Sequence, residues 1–234
     1  MASKYERITD LYLQTAGEVA TPEAWPRFLK TACYNFRLSF DKQVLLYAQR
    51  PDATAVLPIE GRQGWNRRFG RWVNRGSKGI AMLESDHNGQ ARIRYYFDIA
   101  DTHEGRHPRP VPIWTVHPEQ EQAIKETLGN SFGVLSNTNT LGDALISAAS
   151  NVMEDNFQDY LAQLIYYKEG SFLEPLDEES LEAIFKPMLQ NSIGYMLLVR
   201  CGIDPSNHFT PEDFSYISGF NTLQTINTLG TATS

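Results

Sequence analysis

The sequence has little cysteine, no long apolar run and, over its last 21 residues, no charge. Only two cysteines occur in 234 residues, Cys33 and Cys201, in unrelated contexts. That excludes a disulfide framework and a Cys-x-x-Cys metal site, and both thiols are expected to pack as small hydrophobes. The opening MASKYERITD lacks the apolar core of a secretion signal, and apolar runs such as MLLV (196–199) are too short to cross a bilayer. A reducing cytoplasm is therefore the expected compartment. No P-loop or dinucleotide fingerprint is present, the nearest glycine spacing being GSKG at 76–79, and no cofactor is expected. Internal repeats and low-complexity tracts are absent as well.

Positive charge is also scarce, but only in one half. Residues 116–234 hold 4 Lys+Arg against 16 Asp+Glu, a net of -12, whereas residues 1–115 hold 17 against 12, a net of +5. An overall charge of -7 therefore conceals a basic N-terminal half. Such asymmetry marks two parts with different partners, so domains are expected at 1–115 and 116–234.

The chain pattern supports an α+β fold. Thr21-Pro22 opens a helix in which Trp25, Phe28, Leu29 and Cys33 recur at core-facing spacing. SFDKQVLLYAQ forms a second helix, stopped by Pro51, and GWNRRFGRWVNRG a short third one ending at Gly76. KGIAMLES and ARIRYYFDIA then read as strands joined through Asn88-Gly89, a hairpin signal, with a further strand in PVPIWTV. After His117-Pro118 the pattern is helical to the end, with Asp177, Glu178 and Glu179 complementing one helix start and Thr210-Pro211-Glu212-Asp213 another. The expected architecture is a small antiparallel sheet packed with helices, followed by an all-helical part. The uncharged but apolar-periodic end, 214–234, is expected to need a further helix or a partner protein to cover it.

What the basic half does have is GRQGWNRRFGRWVNRGSKGIAML, 61–83, with six positive charges (Arg62, Arg67, Arg68, Arg71, Arg75, Lys78) and no acid. On a helix turning about 100° per residue, Trp65, Phe69 and Trp72 share one face, most simply the core. Arg67, Arg68, Arg71 and Arg75 then share an adjacent face and, with Lys78, are the expected phosphate contacts; Arg67, Arg71 and Arg75 stand at i,i+4, where like charges repel unless an anion relieves them. A phosphate backbone is the obvious anion, with Gly76-Ser77-Lys78-Gly79 offering amides, Arg92 and Arg94 extending the track, and Tyr95, Tyr96, Phe97 or an exposed Trp65 stacking on unpaired bases. The alternative is a set of ion pairs with the acidic half.

HEGRH, 103–107, spells the H-E-x-x-H zinc-protease pattern with His103 and His107 as ligands. That chemistry needs both imidazoles on one helix face, yet Gly105 lies inside the motif, Pro108 follows at once, and only His117 or Glu119 stands near as a third ligand. A solvated loop is the expectation, with no catalysis. Asp98 and Asp101 are expected to cap the strand end or pair with Arg92 or Arg94, and His87 and His208 to lie in exposed loops.

SFDKQVLLYAQRPDATAV, GRWVNRGSKGIAML and YYFDIADT together resemble the N-terminal domain of ArdC-type antirestriction proteins. The matching positions are Gln43, Trp65, Gly70, Arg71, Val73, Gly76, Lys78, Gly79, Ile80, Phe97, Asp98, Asp101 and Thr102, within roughly 20–103. MASKYERITDLY, EGSFLEPLD, QNSIGYML, RCGIDP and FNTLQTINTLGTATS further resemble the start of very large helicase- or methylase-like proteins of conjugative elements in gut Firmicutes, whose chains run on past this point. The resemblance implies a single-stranded-DNA-binding module of a mobile element, with an anti-restriction or anti-defence role. An inhibitor that binds a host restriction or CRISPR nuclease through the acidic half is the second expectation, and a zinc metallopeptidase the third.

Overall fold

A computed structural model describes residues 2–59, 61, 64–85, 88–113 and 116–234; Arg62 and His87 lie outside this set. In chain order the elements are α1 (Lys4–Glu18), α2 (Ala24–Ala32), α3 (Phe40–Gln49), β1 (Val56–Pro58), α4 (Trp65–Phe69), β2 (Arg71–Val73), β3 (Ile80–Ser85), β4 (Ala91–Asp98), β5 (Thr102–Glu104), α5 (Glu121–Phe132), α6 (Leu141–Tyr167), α7 (Glu178–Arg200) and α8 (Leu223–Thr233). The fold is α+β, with its strands in the N-terminal half and helices after them. Two compact units are present: residues 1–15 with 34–113, and residues 16–33 with 114–234. The segment 16–33 thus goes with the helical part, because the apolar face of α2 is buried against α7.

In the first unit β1, β4 and β3 form one antiparallel sheet in that order, with Ile80 opposite Tyr96 and Val56 opposite Asp98. The hairpin expected around Asn88-Gly89 joins β3 to β4, and Gly89 takes φ 76°. Leu45 and Leu46 of α3 cluster with Ile80, Met82 and Tyr96, and the partly buried Ile8, Leu11 and Tyr12 of α1 pack against them. No element was expected over 4–18, although Ile8, Leu11 and Tyr12 stand at the i, i+3, i+4 spacing of a helix face. β2 and β5 form a separate two-stranded ribbon in which Arg71, Trp72 and Val73 face Glu104, His103 and Thr102. The strand expected in PVPIWTV is not formed at 110–113 or 116, and Trp114 and Thr115 lie outside the described residues.

The helix expected to reach Gly76 stops at Phe69. Gly70 takes φ 61° and donates its amide to the Asn66 carbonyl, the left-handed cap that glycine adopts without strain. A Cβ there would lie 2.3 Å from the His107 carbonyl oxygen, so the chain passes close under the segment after β5. Residues 71–73 are consequently a strand, and the i,i+4 series of arginines does not exist.

In the second unit Trp25, Phe28, Leu29 and Cys33 are buried as their spacing predicts, and the Thr21 hydroxyl accepts the Ala24 amide at 3.2 Å. Trp25 Nε1 donates to Ser192 Oγ on α7 at 2.8 Å. Asp177 caps α7 through the Ser180 amide at 2.8 Å, and the helix continues through Pro187. The two segments LGDALISAASNVMEDNF and DYLAQLIYY are one helix, α6, opened by a reciprocal Thr140–Asp143 cap. The uncharged end has its cover within the unit: Ile226 and Leu229 of α8 are 1% and 0% exposed, and α8 packs on α6 and α7. Both cysteines are buried, and burial pushes the Cys201 thiol up. No helix among the described residues is long and apolar enough to cross a membrane.

Candidate nucleic-acid interface

The segment FDIADT, 97–102, anchors the first unit. Asp98 is 3% exposed and accepts the amides of Thr54 at 2.8 Å, Ala55 at 3.1 Å and Ala100 at 2.9 Å. Asp101 receives Arg50 at 3.1 and 3.2 Å, so neither acid pairs with Arg92 or Arg94. Thr102 Oγ1 donates to the Ile99 carbonyl at 2.7 Å and accepts Arg71 Nε at 2.8 Å. Gln43, buried on α3, donates to the Leu38 carbonyl at 2.9 Å. These motif positions hold the backbone together, as buried polar groups with satisfied partners do.

Of the ten expected nucleic-acid contacts, the structure withdraws several. Trp65 is fully buried and its Nε1 donates to the Phe97 carbonyl at 2.7 Å, so it cannot stack on a base. Tyr96 is 7% exposed and its hydroxyl donates to Glu84 Oε1 at 2.7 Å. Glu84 also takes Lys42 at 3.1 Å and both Arg92 and Arg94 at 3.5 Å. Burial acts to raise the Glu84 carboxyl, but hydrogen bonds from Tyr96 and Lys42 with the charges of Lys42 and Arg94 outweigh it and hold the group below the ordinary glutamate range. Burial and the same bond to Glu84 push the Tyr96 hydroxyl up. Arg71 is engaged by Glu104 at 3.1 Å and by Thr102. Arg68 is half-buried with its guanidinium 5.2 Å from the Phe69 ring centre.

Arg67, Arg75 and Lys78 remain exposed and form no ion pair among the described residues. Arg75 stands at the apex of a turn in which the Ser77 amide donates to the Asn74 carbonyl at 3.2 Å, with Gly76 at φ 88° in the position that needs a left-handed residue. The Asn74 amide ties that turn to the Asp101 carbonyl at 2.8 Å. Tyr95 is 38% exposed, with the Lys4 ammonium 4.8 Å from its ring centre.

Sequence reasoning missed Arg106 and Arg109, which are exposed and likewise without an ion pair among the described residues. They lie where HEGRH drew attention to zinc instead. Their segment is pinned to the end of α4 by the Gly105 amide on the Gly70 carbonyl at 2.8 Å and the Arg109 amide on the Phe69 carbonyl at 2.9 Å. His103 sits on β5 with Nδ1 2.7 Å from Asn74 Oδ1, and His107 lies in the irregular segment beyond, so the two imidazoles do not share a helix face. No group of three or more metal-ligating side chains occurs among the described residues. His208, expected in an exposed loop, is instead half-buried: a Cβ on Gly142 of α6 would come 2.5 Å from its Nε2. No protein-family model, no curated protein and no solved structure matches the chain.

Proposed function

We propose that the first unit is a single-stranded-DNA-binding module that tracks phosphates through Arg67, Arg75 and Lys78, joined by Arg106 and Arg109. The observation that carries this assignment is that these five cations are exposed and form no ion pair among the described residues, while Arg71 pairs with Glu104 and Arg92 and Arg94 share Glu84. The unit to which they belong holds 15 Lys+Arg against 10 Asp+Glu, a net of +5, and the other unit 6 against 18, a net of -12. Clustered cations gain from displacing the counterions of a nucleic-acid backbone, a gain that fades with salt. The resemblance to ArdC-type domains supports DNA as the ligand and the shielding of a mobile element's incoming strand as the role, without a catalytic step. Fluorescence anisotropy of labelled single-stranded DNA, at two salt concentrations, tests it. Wild type is expected to bind, and Arg67→Ala/Arg75→Ala to lose both affinity and salt slope; equal binding by the two proteins would sink the proposal.

A second reading, the inhibitor of a host restriction or CRISPR nuclease, is favoured by one feature of the acidic unit. Tyr166 and Phe172 are 79% and 71% exposed, and Phe172 sits between buried Ser171 and Leu173 with its amide on Asn221 Oδ1 at 2.8 Å. Residues 166–182 carry six acids against Lys168 alone, a rim suited to a basic channel. On this reading Tyr166→Ala/Phe172→Ala weakens binding to a purified nuclease by about tenfold or more while leaving DNA binding unchanged. A nuclease that binds neither wild type nor variant counts against it.

A further inference from the structure

We infer that Trp72 is the platform on which one unpaired base stacks, making the ribbon of β2 and β5 selective for single strands over duplex. This rests on the DNA-binding assignment above and adds the element that recognises a base. Trp72 is 52% exposed, although its neighbours Trp65 and Phe69 are 0% and 7% exposed. An indole left in water in the middle of a strand forgoes a large burial gain, which calls for a ligand or a partner.

The ribbon fixes where the ring points. Trp72 is paired with His103 across the two strands, so both side chains leave the same face. Arg71 and Thr102 turn to the opposite face, where Arg71 Nε meets Thr102 Oγ1 at 2.8 Å. His103 is held by Asn74 at 2.7 Å. The pyrrole edge of Trp72 lies against Gly105, where a Cβ would come 2.8 Å from Nε1 and 3.0 Å from Cδ1. The ring is therefore braced along one edge, and Nε1 has no acceptor among the described residues. A ring braced in this way loses little freedom when a base covers it.

Cations stand at both ends of the same ribbon. Because the strands are antiparallel, Arg75 follows β2 at one end, while Arg67 precedes β2 and Arg106 follows β5 at the other. The ribbon is three residues long, about 10 Å. A strand crossing it meets charge, then an aromatic face, then charge, the combination that holds single strands without reading their sequence. Duplex DNA keeps its bases stacked and offers only the phosphates.

The test uses the full chain with three labelled probes of equal length: single-stranded oligo-dT, its abasic counterpart and a duplex. Trp72→Ala is expected to weaken oligo-dT binding about tenfold with an unchanged salt slope, and to leave the abasic and duplex probes unaffected. Trp72→Phe is expected to keep most of the affinity, which separates loss of stacking from loss of fold. The inference is overturned if Trp72→Ala binds oligo-dT like wild type, or if the abasic probe binds wild type as tightly as oligo-dT. If in that case Arg67→Ala/Arg75→Ala still loses binding, the phosphate assignment stands and stacking alone fails. No binding of any probe by wild type overturns both.

Discussion

Glu84 shows how one carboxylate can remove candidates from a binding surface. Its two oxygens engage Tyr96, Lys42, Arg92 and Arg94, so the arginines that alternate along β4 serve the sheet first. Because the folded carboxyl sits below its ordinary range, the stabilisation it gives is present above the ordinary glutamate pKa and lost as pH falls through the folded value. Urea denaturation is therefore expected to show the first unit weakening as pH falls below the ordinary glutamate pKa of about 4.3, with a flatter profile in Glu84→Gln. Asp98 is the more severe case, since it is nearly buried and accepts three amides. Asp98→Ala leaves those donors without a partner and is expected to cost about 2–4 kcal/mol in the same measurement. A loss below about 0.5 kcal/mol would mean that water replaces the carboxylate.

Among the elements, α4 is decisive, because its early stop creates the ribbon. Gly70→Ala combines a left-handed backbone with a contact of 2.3 Å to the His107 carbonyl. It is expected to cost about 1–3 kcal/mol and to disturb the β2–β5 pairing, visible as lost amide-exchange protection at Trp72 and His103. Gly17→Ala is the control: a Cβ there meets nothing within 4 Å, so stability should hold or rise by about 0.5–1 kcal/mol. Comparable losses in the two variants would refute the account of Gly70. None of this was legible in GWNRRFGRWVNRG, whose aromatic and arginine spacing fits a longer helix better than a helix, a turn and a strand.

For the whole molecule, charge is the controlling quantity. The division into +5 and -12 holds for the folded units as it does for the two halves of the chain, since the transferred segment 16–33 carries two acids and two bases. Single-stranded binding loses about 0.7 in log-log salt slope for each phosphate contact removed, so Arg67→Ala/Arg75→Ala should flatten the slope by about 1.4. An unchanged slope with weaker binding would show that the two arginines act through the fold and do not touch phosphate. The net charge of -7 works against any nucleic acid at long range, so the same measurements at low salt test how far that repulsion is screened.

Local pattern and composition determined by themselves the helical character of the C-terminal part, the β3–β4 hairpin, the α+β class and the uneven charge, because periodicity, caps and charge counts are properties of neighbouring residues. Only the tertiary structure decided which aromatic is core and which is surface. Trp65 and Trp72 look equivalent in the sequence, yet one finds the Phe97 carbonyl from a strand 32 residues away and the other finds water. It also decided which arginines are paired and which are not, since the acids that pair with Arg71 and Arg92 lie 33 and 8 residues off. Burial and neutralisation depend on what the rest of the chain brings near, and spacing along one segment carries no record of that.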